Sequence, residues 1–333
     1  MKIWGLAVAL LLFLSAVWAP AQQDQTSPSS PAAQTGAPAA DDEAKQESNA
    51  GPKLDLMPDA QGKLSQEQMK QLFRVVADKD LENDKRLHDY TYIERDVEHH
   101  LDGKGNTKST ETKTYDVLEF YGEQVQRLTE KDDKPLSPKE AAKEEEKIQK
   151  IIDKRKNESE EERKKREQRE EKDREDGRKF ITEVADAYNF KLVGTEQING
   201  RDAWVIDGEP RPGFEPKMKE AKFLPKFHGR VWIDKDDEQL VKMNVEAIDT
   251  VSLGWFLARV HKGTRITFEQ VRVNDEVWLP QHVAFKVDVR VALLKNFNID
   301  GEQTFRDYKK FRTSTKILGL TEVKDKDEVK DTK

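Results

Sequence analysis

The residues best able to bind a metal or relay a proton near neutral pH are six histidines, His88, His99, His100, His228, His261 and His282. His99 and His100 are adjacent, and neighbours on a strand point to opposite faces, so the two cannot close on one ion and read as surface residues. Asp234, Asp236 and Glu238 alternate like the first ligands of a calcium loop, yet Gln239 stands where such a loop needs glycine for its sharp turn. That run reads as an acidic hairpin turn. Gly103 and Gly105 lack the third glycine and the following helix of a phosphate cradle. Neither His-Glu-x-x-His nor Gly-x-Ser-x-Gly occurs, which removes the signatures of a zinc protease and an α/β-hydrolase. With no cysteine anywhere, thiol nucleophiles, disulfides, iron–sulfur clusters and Cys-ligated zinc are excluded. No cofactor or metal is implied, no positive sign of catalysis is found, and the chain reads as non-enzymatic.

What remains is apolar patterning, and its period is two. From residue 190 onward, short apolar runs alternate with polar residues and are separated by turn chemistry. Runs 190–198 and 203–207 flank Asn199-Gly200, 227–234 and 239–249 flank the acidic turn, and 264–273 and 277–294 flank Asn274-Asp275-Glu276. A last run covers 297–311. Upstream, runs 87–101 and 107–128 flank Asp102-Gly103-Lys104-Gly105-Asn106, and Gly122 marks a further turn or bulge. Nine or ten strands in hairpin succession predict an antiparallel meander with one dry and one wet face. Strands this long curl. The dry face supplies the candidate lining residues Trp204, Ile206, Val231, Ile233, Val241, Met243, Val245, Phe268, Val283, Phe285, Val287 and Val289. A sheet needs a core, so the same residues would face inward with no ligand at all.

Helices must cover that face. Ser65, followed by Glu67 and Gln68, opens a helix whose apolar stripe continues to about residue 81. Residues 138–179 are almost all charged or Gln, with acid-before-base pairs four apart, such as Glu146/Lys150 and Glu161/Lys165. They predict one long helix, docked near Ile148, Ile151 and Ile152 and free along much of its length. It reads as a solvated insertion or as a partner-binding arm. An apolar helix, 180–188, follows. No stretch alternates strand with helix in the manner of a nucleotide-binding fold. The expected class is therefore α+β: a single curved antiparallel sheet with helices on its concave face plus one long charged helix.

The ends have their own chemistry. Lys2, an apolar run over 3–17 and Ala19-Pro20-Ala21 read as a signal peptide, residues 1–21, which implies export to the periplasm. Residues 22–63 are rich in Ser, Pro, Gln and Ala and read as a disordered linker. The folded domain is expected over 64–318, and 319–333 is a charged tail. Net charge is −7 with both signs interspersed, which gives no basic field to attract nucleic acid. One segment breaks the alternation: Leu253, Trp255, Phe256 and Leu257 lie between two strands. They form either a buried connector or a mobile rim able to touch a lipid or, transiently, a membrane.

Several of these runs resemble a known family. Gly229-Arg230-Val231-Trp232-Ile233-Asp234, Gln239-Leu240-Val241-Lys242, Lys262-Gly263-Thr264 and 273–280, closing on Tyr308-Lys309-Lys310-Phe311, are similar to the outer-membrane lipoprotein-sorting proteins, LolA-like half-barrels. The resemblance covers about 64–311 and implies a half-barrel whose concave apolar side can take acyl chains. The implied function is an envelope carrier or binding protein for lipoprotein or lipid cargo. The alternative is a regulatory or structural module that meets an envelope protein partner through the charged helix. The charged insertion departs from the family pattern, and no family functional residue carries over. The absence of cysteine also means that the chain lacks the acylation site of a bacterial lipoprotein.

Overall fold

The computed structural model describes residues 55–253, 258–291 and 295–311. The leader, most of the linker, the charged tail, and Trp255, Phe256 and Leu257 lie outside them. Leu253 is placed by its backbone alone.

The first helix, α1 (Gln66–Leu87), starts where its sequence says it should. The Ser65 hydroxyl accepts from the Gln68 amide, and the Gln68 side chain returns a bond to the Ser65 amide. Met69, Leu72, Phe73 and Val76 repeat at helical spacing and are buried along one face. The helix runs six residues beyond its expected end because Leu87 is also buried, and the chain turns into β1 (Tyr90–Leu101) only after it. β2 (Thr107–Phe120), β3 (Glu123–Lys131) and the short β4 (Lys134–Pro135) follow. Tyr121 and Gly122 both take positive φ, 52° and 79°, so what the sequence left as one run with a turn or bulge is two strands and a tight hairpin.

The charged stretch is two helices. α2 (Pro138–Lys156) ends at Asn157, and α3 (Glu160–Ala187) begins behind Ser159, which forms its own capping box with Glu162. A second N-terminal signal inside a uniform charge pattern ended the helix early. Neither is free along its length. Ile148 and Ile152 pack on Phe120 and Val125. Glu158 accepts from both Arg155 and Arg166, and Arg155 also meets Glu123, so the bend is pinned to β3. The apolar segment expected over 180–188 is the last part of α3, continuous with the charged part.

The remaining strands are β5 (Tyr188–Ile198), β6 (Arg201–Pro210), β7 (Phe227–Asp234), β8 (Leu240–Ala247), β9 (Val251–Leu253), β10 (Ala258–Val260), β11 (Arg265–Val273), β12 (Val277–Val291) and β13 (Lys295–Lys310), with a 3-10 turn, Lys219–Lys226, before β7. Together they make one open, curved sheet of thirteen strands, ordered β4-β3-β2-β1-β13-β12-β11-β8-β7-β6-β5. The β9–β10 hairpin lies beside the end of β12. Every described pairing is antiparallel. The fold class read from the sequence, α+β with a curved sheet and helices on its inner side, is the one observed.

Register fixes what shares a face. Ile206, Val231, Met243, Phe268, Val283, Gln303 and Asp96 stand opposite one another in turn across seven strands. Adjacent strands lie about 4.8 Å apart, so this row crosses the inner face almost from edge to edge. α1, α3 and the 3-10 turn cover its β5–β8 end. On the outer face, Ala203, Val205, Trp232, Val241 and Trp278 form a separate cluster.

Candidate functional site

The acidic turn is a structural clamp. Asp234 is buried, accepts two bonds from the Arg201 guanidinium at 2.6 and 2.8 Å, and caps the amides of Asp236 and Asp237. Its acceptors are thus divided between tying β6 to β7 and holding the β7–β8 turn. His99 bonds Thr110, and His100 lies near Glu98, each histidine on its own face of β1. Glu98, His100 and Glu111 bring ligand atoms within 4.8 Å of one another on a partly exposed strand surface.

Chemistry concentrates instead in a cavity of about 210 Å³ between the inner face of the sheet and the helices. α1 contributes Phe73, Val76 and Asp80, spaced three and four residues apart and hence on one helical face. α3 contributes Gly177, Phe180, Ile181 and Val184, and the 3-10 turn adds Phe223 and Leu224. From the sheet come Tyr188 and Phe190 (β5), Ile206 and Gly208 (β6), Phe227, His228, Gly229 and Val231 (β7), Leu240, Met243 and Val245 (β8), and Ile266 and Phe268 (β11).

Two glycines lie side by side in the floor of the hollow. Gly208 and Gly229 face each other across β6 and β7, flanked in the same row by Phe190 and Val245. A Cβ on Gly208 would stand 3.2 Å from the Phe190 ring, and one on Gly229 would stand 3.1 Å from the Asn244 carbonyl oxygen. Larger residues at this pair would press on these neighbours and push them into the hollow.

Of the twelve candidate lining residues, Ile206, Val231, Met243, Val245 and Phe268 line the cavity. Trp204, Ile233, Val287 and Val289 pack in the adjoining core, and Val283 and Phe285 lie further along the inner face. Val241 points to the outer face with Trp232 and Trp278. The reason is a bulge: the β7–β8 register shifts between Trp232 and Ile233, so Leu240 takes the inward place that simple alternation gives to Val241. The rim residues Trp255, Phe256 and Leu257, and the side chain of Leu253, fall outside the described residues.

Sequence reading missed both glycines and Asp80. Period two places Gly208 two residues after Ile206, and Gly229 two before Val231, so the glycines were legible as gaps in the dry face. Asp80 sits on the apolar stripe of α1 and, among the described residues, is the one carboxylate in the cavity wall. Burial pushes its pKa up to about 6; the Gln270 amide opposes the rise, Asp84 adds to it and Gln239 opposes it. At the far end, the Tyr188 hydroxyl donates to the Leu224 carbonyl at 2.8 Å, and burial raises its pKa.

The lid is held by charge around an apolar seam. Lys70 pairs with Asp186, Arg178 with Asp78 and Arg174 with Asp84, joining α3 to α1, while Phe180, Ile181 and Val184 face the hollow. The geometry can shelter an apolar group of limited size. At about 210 Å³ the space exceeds the ~150 Å³ that accepts benzene in an engineered cavity and falls short of the 300–1,000 Å³ of pockets that enclose whole ligands.

No family model matches the sequence, and neither does any curated protein. Several solved structures are similar to it. A domain named for outer membrane lipoprotein sorting, from Vibrio parahaemolyticus, is 12% identical over 74% of this chain and 93% of its own, with a TM-score of 0.29. A LolA superfamily protein from Nitrosomonas europaea is 9% identical over 73% and 94%, at 0.28. A DUF1329 family protein from Desulfovibrio piger is 10% identical over 73% and 92%, at 0.24.

Proposed function

We propose that this chain is an exported, periplasmic, non-catalytic carrier or binding protein for lipoproteins or other acylated cargo, whose acyl end enters the cavity between α3 and the sheet. The observation that supports it is the hollow itself, floored by the Gly208–Gly229 pair and walled by Phe73, Phe180, Val231 and Phe268. A fold that needed only a core would close that space, because protein interiors pack to a density of about 0.75. An acyl chain in water is unfavourable by about 0.8 kcal/mol for each CH₂, so even a short buried segment gives useful affinity. The dimensions suit a chain end, with the rest of the chain lying along the inner row toward Val283 and Phe285 once the lid shifts. Leu253, Trp255, Phe256 and Leu257 belong to the same proposal as a rim for cargo or a transient membrane contact. Release needs a second state of lower affinity, and movement of α3 on its ion pairs supplies one.

Native mass spectrometry of the protein purified from the envelope of its host tests this reading. Wild type is expected to carry acylated species, and Gly208→Leu, which crowds the floor and displaces the Phe190 ring, is expected to emerge without them at a somewhat lower melting temperature. Wild type that is free of ligand under gentle conditions, and that takes up no acyl probe, overturns it.

A further inference from the structure

We infer that the cavity selects among acyl ligands by the polarity of their heads, accepting a chain that ends in a hydrogen-bond donor, an amide or an amine, over one that ends in a free carboxylate or phosphate. This rests on the carrier reading and names the class of cargo within it.

The selecting group is Asp80. It lies one turn beyond Val76 and two beyond Phe73 on the face of α1 that walls the cavity, so helix geometry aims it inward. The side chains of Gln239 and Gln270, two residues that are each only 1% exposed, lie close enough to its carboxyl to oppose the rise in its pKa, and the Gln239 amide also donates to the Gln270 carbonyl oxygen. A carboxylate offers about four acceptor positions, and two amides leave the others open. Among the described residues Asp80 makes no ion pair: Lys79, next to it, turns to the Asp237 carbonyl and to Glu238. A purely structural clamp would be satisfied on both sides. Behind Asp80 the Gln239 Oε1 is a buried acceptor with no partner. A buried polar atom left unmatched costs about 1–3 kcal/mol, and a ligand that brings donors removes the deficit.

The same corner disfavours anions. Among the described residues no Lys or Arg lines the cavity. Asp84 adds negative charge beside Asp80; His228 lies between the inward Phe227 and Gly229 on β7, and its ring turns to the other face, toward Glu209 and Glu246. Arg174, the cation at this corner, is held by Asp84 and Glu171, so an acyl carboxylate would meet Asp80 with no lining cation among the described residues to separate them.

The test displaces a neutral apolar fluorophore, N-phenylnaphthylamine, from the full chain with dodecanamide, dodecylamine and dodecanoate, all below their micelle concentrations at neutral pH. The amide and the amine are expected to bind at least about tenfold more tightly than the carboxylate, a difference of about 1.4 kcal/mol. Asp80→Asn, which can donate as well as accept, is expected to bring the three within about twofold of one another. Equal affinities in wild type, or an unchanged ratio in Asp80→Asn, overturn the inference and leave the carrier reading standing. The wild-type comparison decides the matter even if the variant folds poorly. Failure of all three chains to displace or bind removes the carrier reading and this inference with it.

Discussion

At the scale of single residues, the features that matter combine burial with incomplete satisfaction. Asp80 illustrates the sign of such effects. Its pKa stands near 6 in the folded chain against 3.8 for an unperturbed aspartate, so the folded state holds the proton more tightly and loses stability as pH rises through that window. Asp80→Asn should therefore stabilise the protein at pH 8 by up to about 3 kcal/mol and do nothing near pH 3.5, as urea denaturation at the two pH values will show. A loss of stability at pH 8 would mean that the carboxylate is better solvated than its surroundings indicate. Glu94 and Asp96, two apart on β1, add to the same trend. Burial pushes both upward, Asp96 to about 7 with the Glu94 charge contributing, while Gln303 donates to Asp96 and Gln126 to Glu94. Gly301 shows the opposite kind of constraint. A Cβ there would stand 2.6 Å from the Phe285 ring and 2.9 Å from the Val97 carbonyl oxygen, in the middle of the sheet. Gly301→Ala should cost about 1–3 kcal/mol, read as a lower midpoint in the same denaturant series.

At the scale of elements, the sequence was most legible where one rule acts alone. Alternation from residue 190 onward, with Asn199-Gly200 and Asn274-Asp275 at positive φ, located the hairpins to within a few residues. It failed where a second rule intervened. The bulge at Trp232/Ile233 exchanged Val241 for Leu240, because one extra residue reverses every facing beyond it. The charged stretch likewise hid a helix boundary: acid–base spacing is periodic through 138–179, and Ser159 with Glu162 restarts the helix without disturbing that period. Glu158 holds the two halves at a fixed bend through Arg155 and Arg166. Its replacement by Ala should loosen the bend, so trypsin is expected to cut after Arg155 or Lys156 sooner than in wild type, while cavity ligands remain bound. Unchanged cleavage would show that Ile148 and Ile152, packed on β3, are sufficient to hold it.

At the scale of the whole molecule, the decisive fact is one that no local pattern announced: the last described strand lies in the middle of the sheet. β13 pairs with β1 on one side and with β12 on the other, from Tyr90↔Lys310 to His100↔Ile299 and from His282↔Thr304 to Val291↔Lys295. Hairpin succession gave the order of neighbours within β1–β4 and within β5–β8, but joining the two ends of the chain depends on contacts some two hundred residues apart. A single sequence carries no periodic sign of these. β13 therefore acts as the seam between a β1–β4 half and a β5–β12 half, and the inner row from Ile206 to Asp96 is continuous only through Gln303 on it. Ending the chain at residue 294 removes the seam, leaving β1 and β12 as long unpaired edges and baring Phe285, Tyr92 and Val97. Such a truncation should not yield a smaller carrier with one strand fewer. It is expected to aggregate or to lose cooperative melting altogether, and circular dichroism with size-exclusion chromatography will show which. A soluble, cooperatively melting product that still binds acyl chains would place the cavity half, β5–β12 with its helices, as an independent folding unit and reduce β1–β4 to an appendage. The cavity's position argues against that outcome: its lid helix α3 reaches it across the bend pinned to β3 at Glu123, and α1 enters β1 directly, so both covering helices are anchored in the half that β13 holds on.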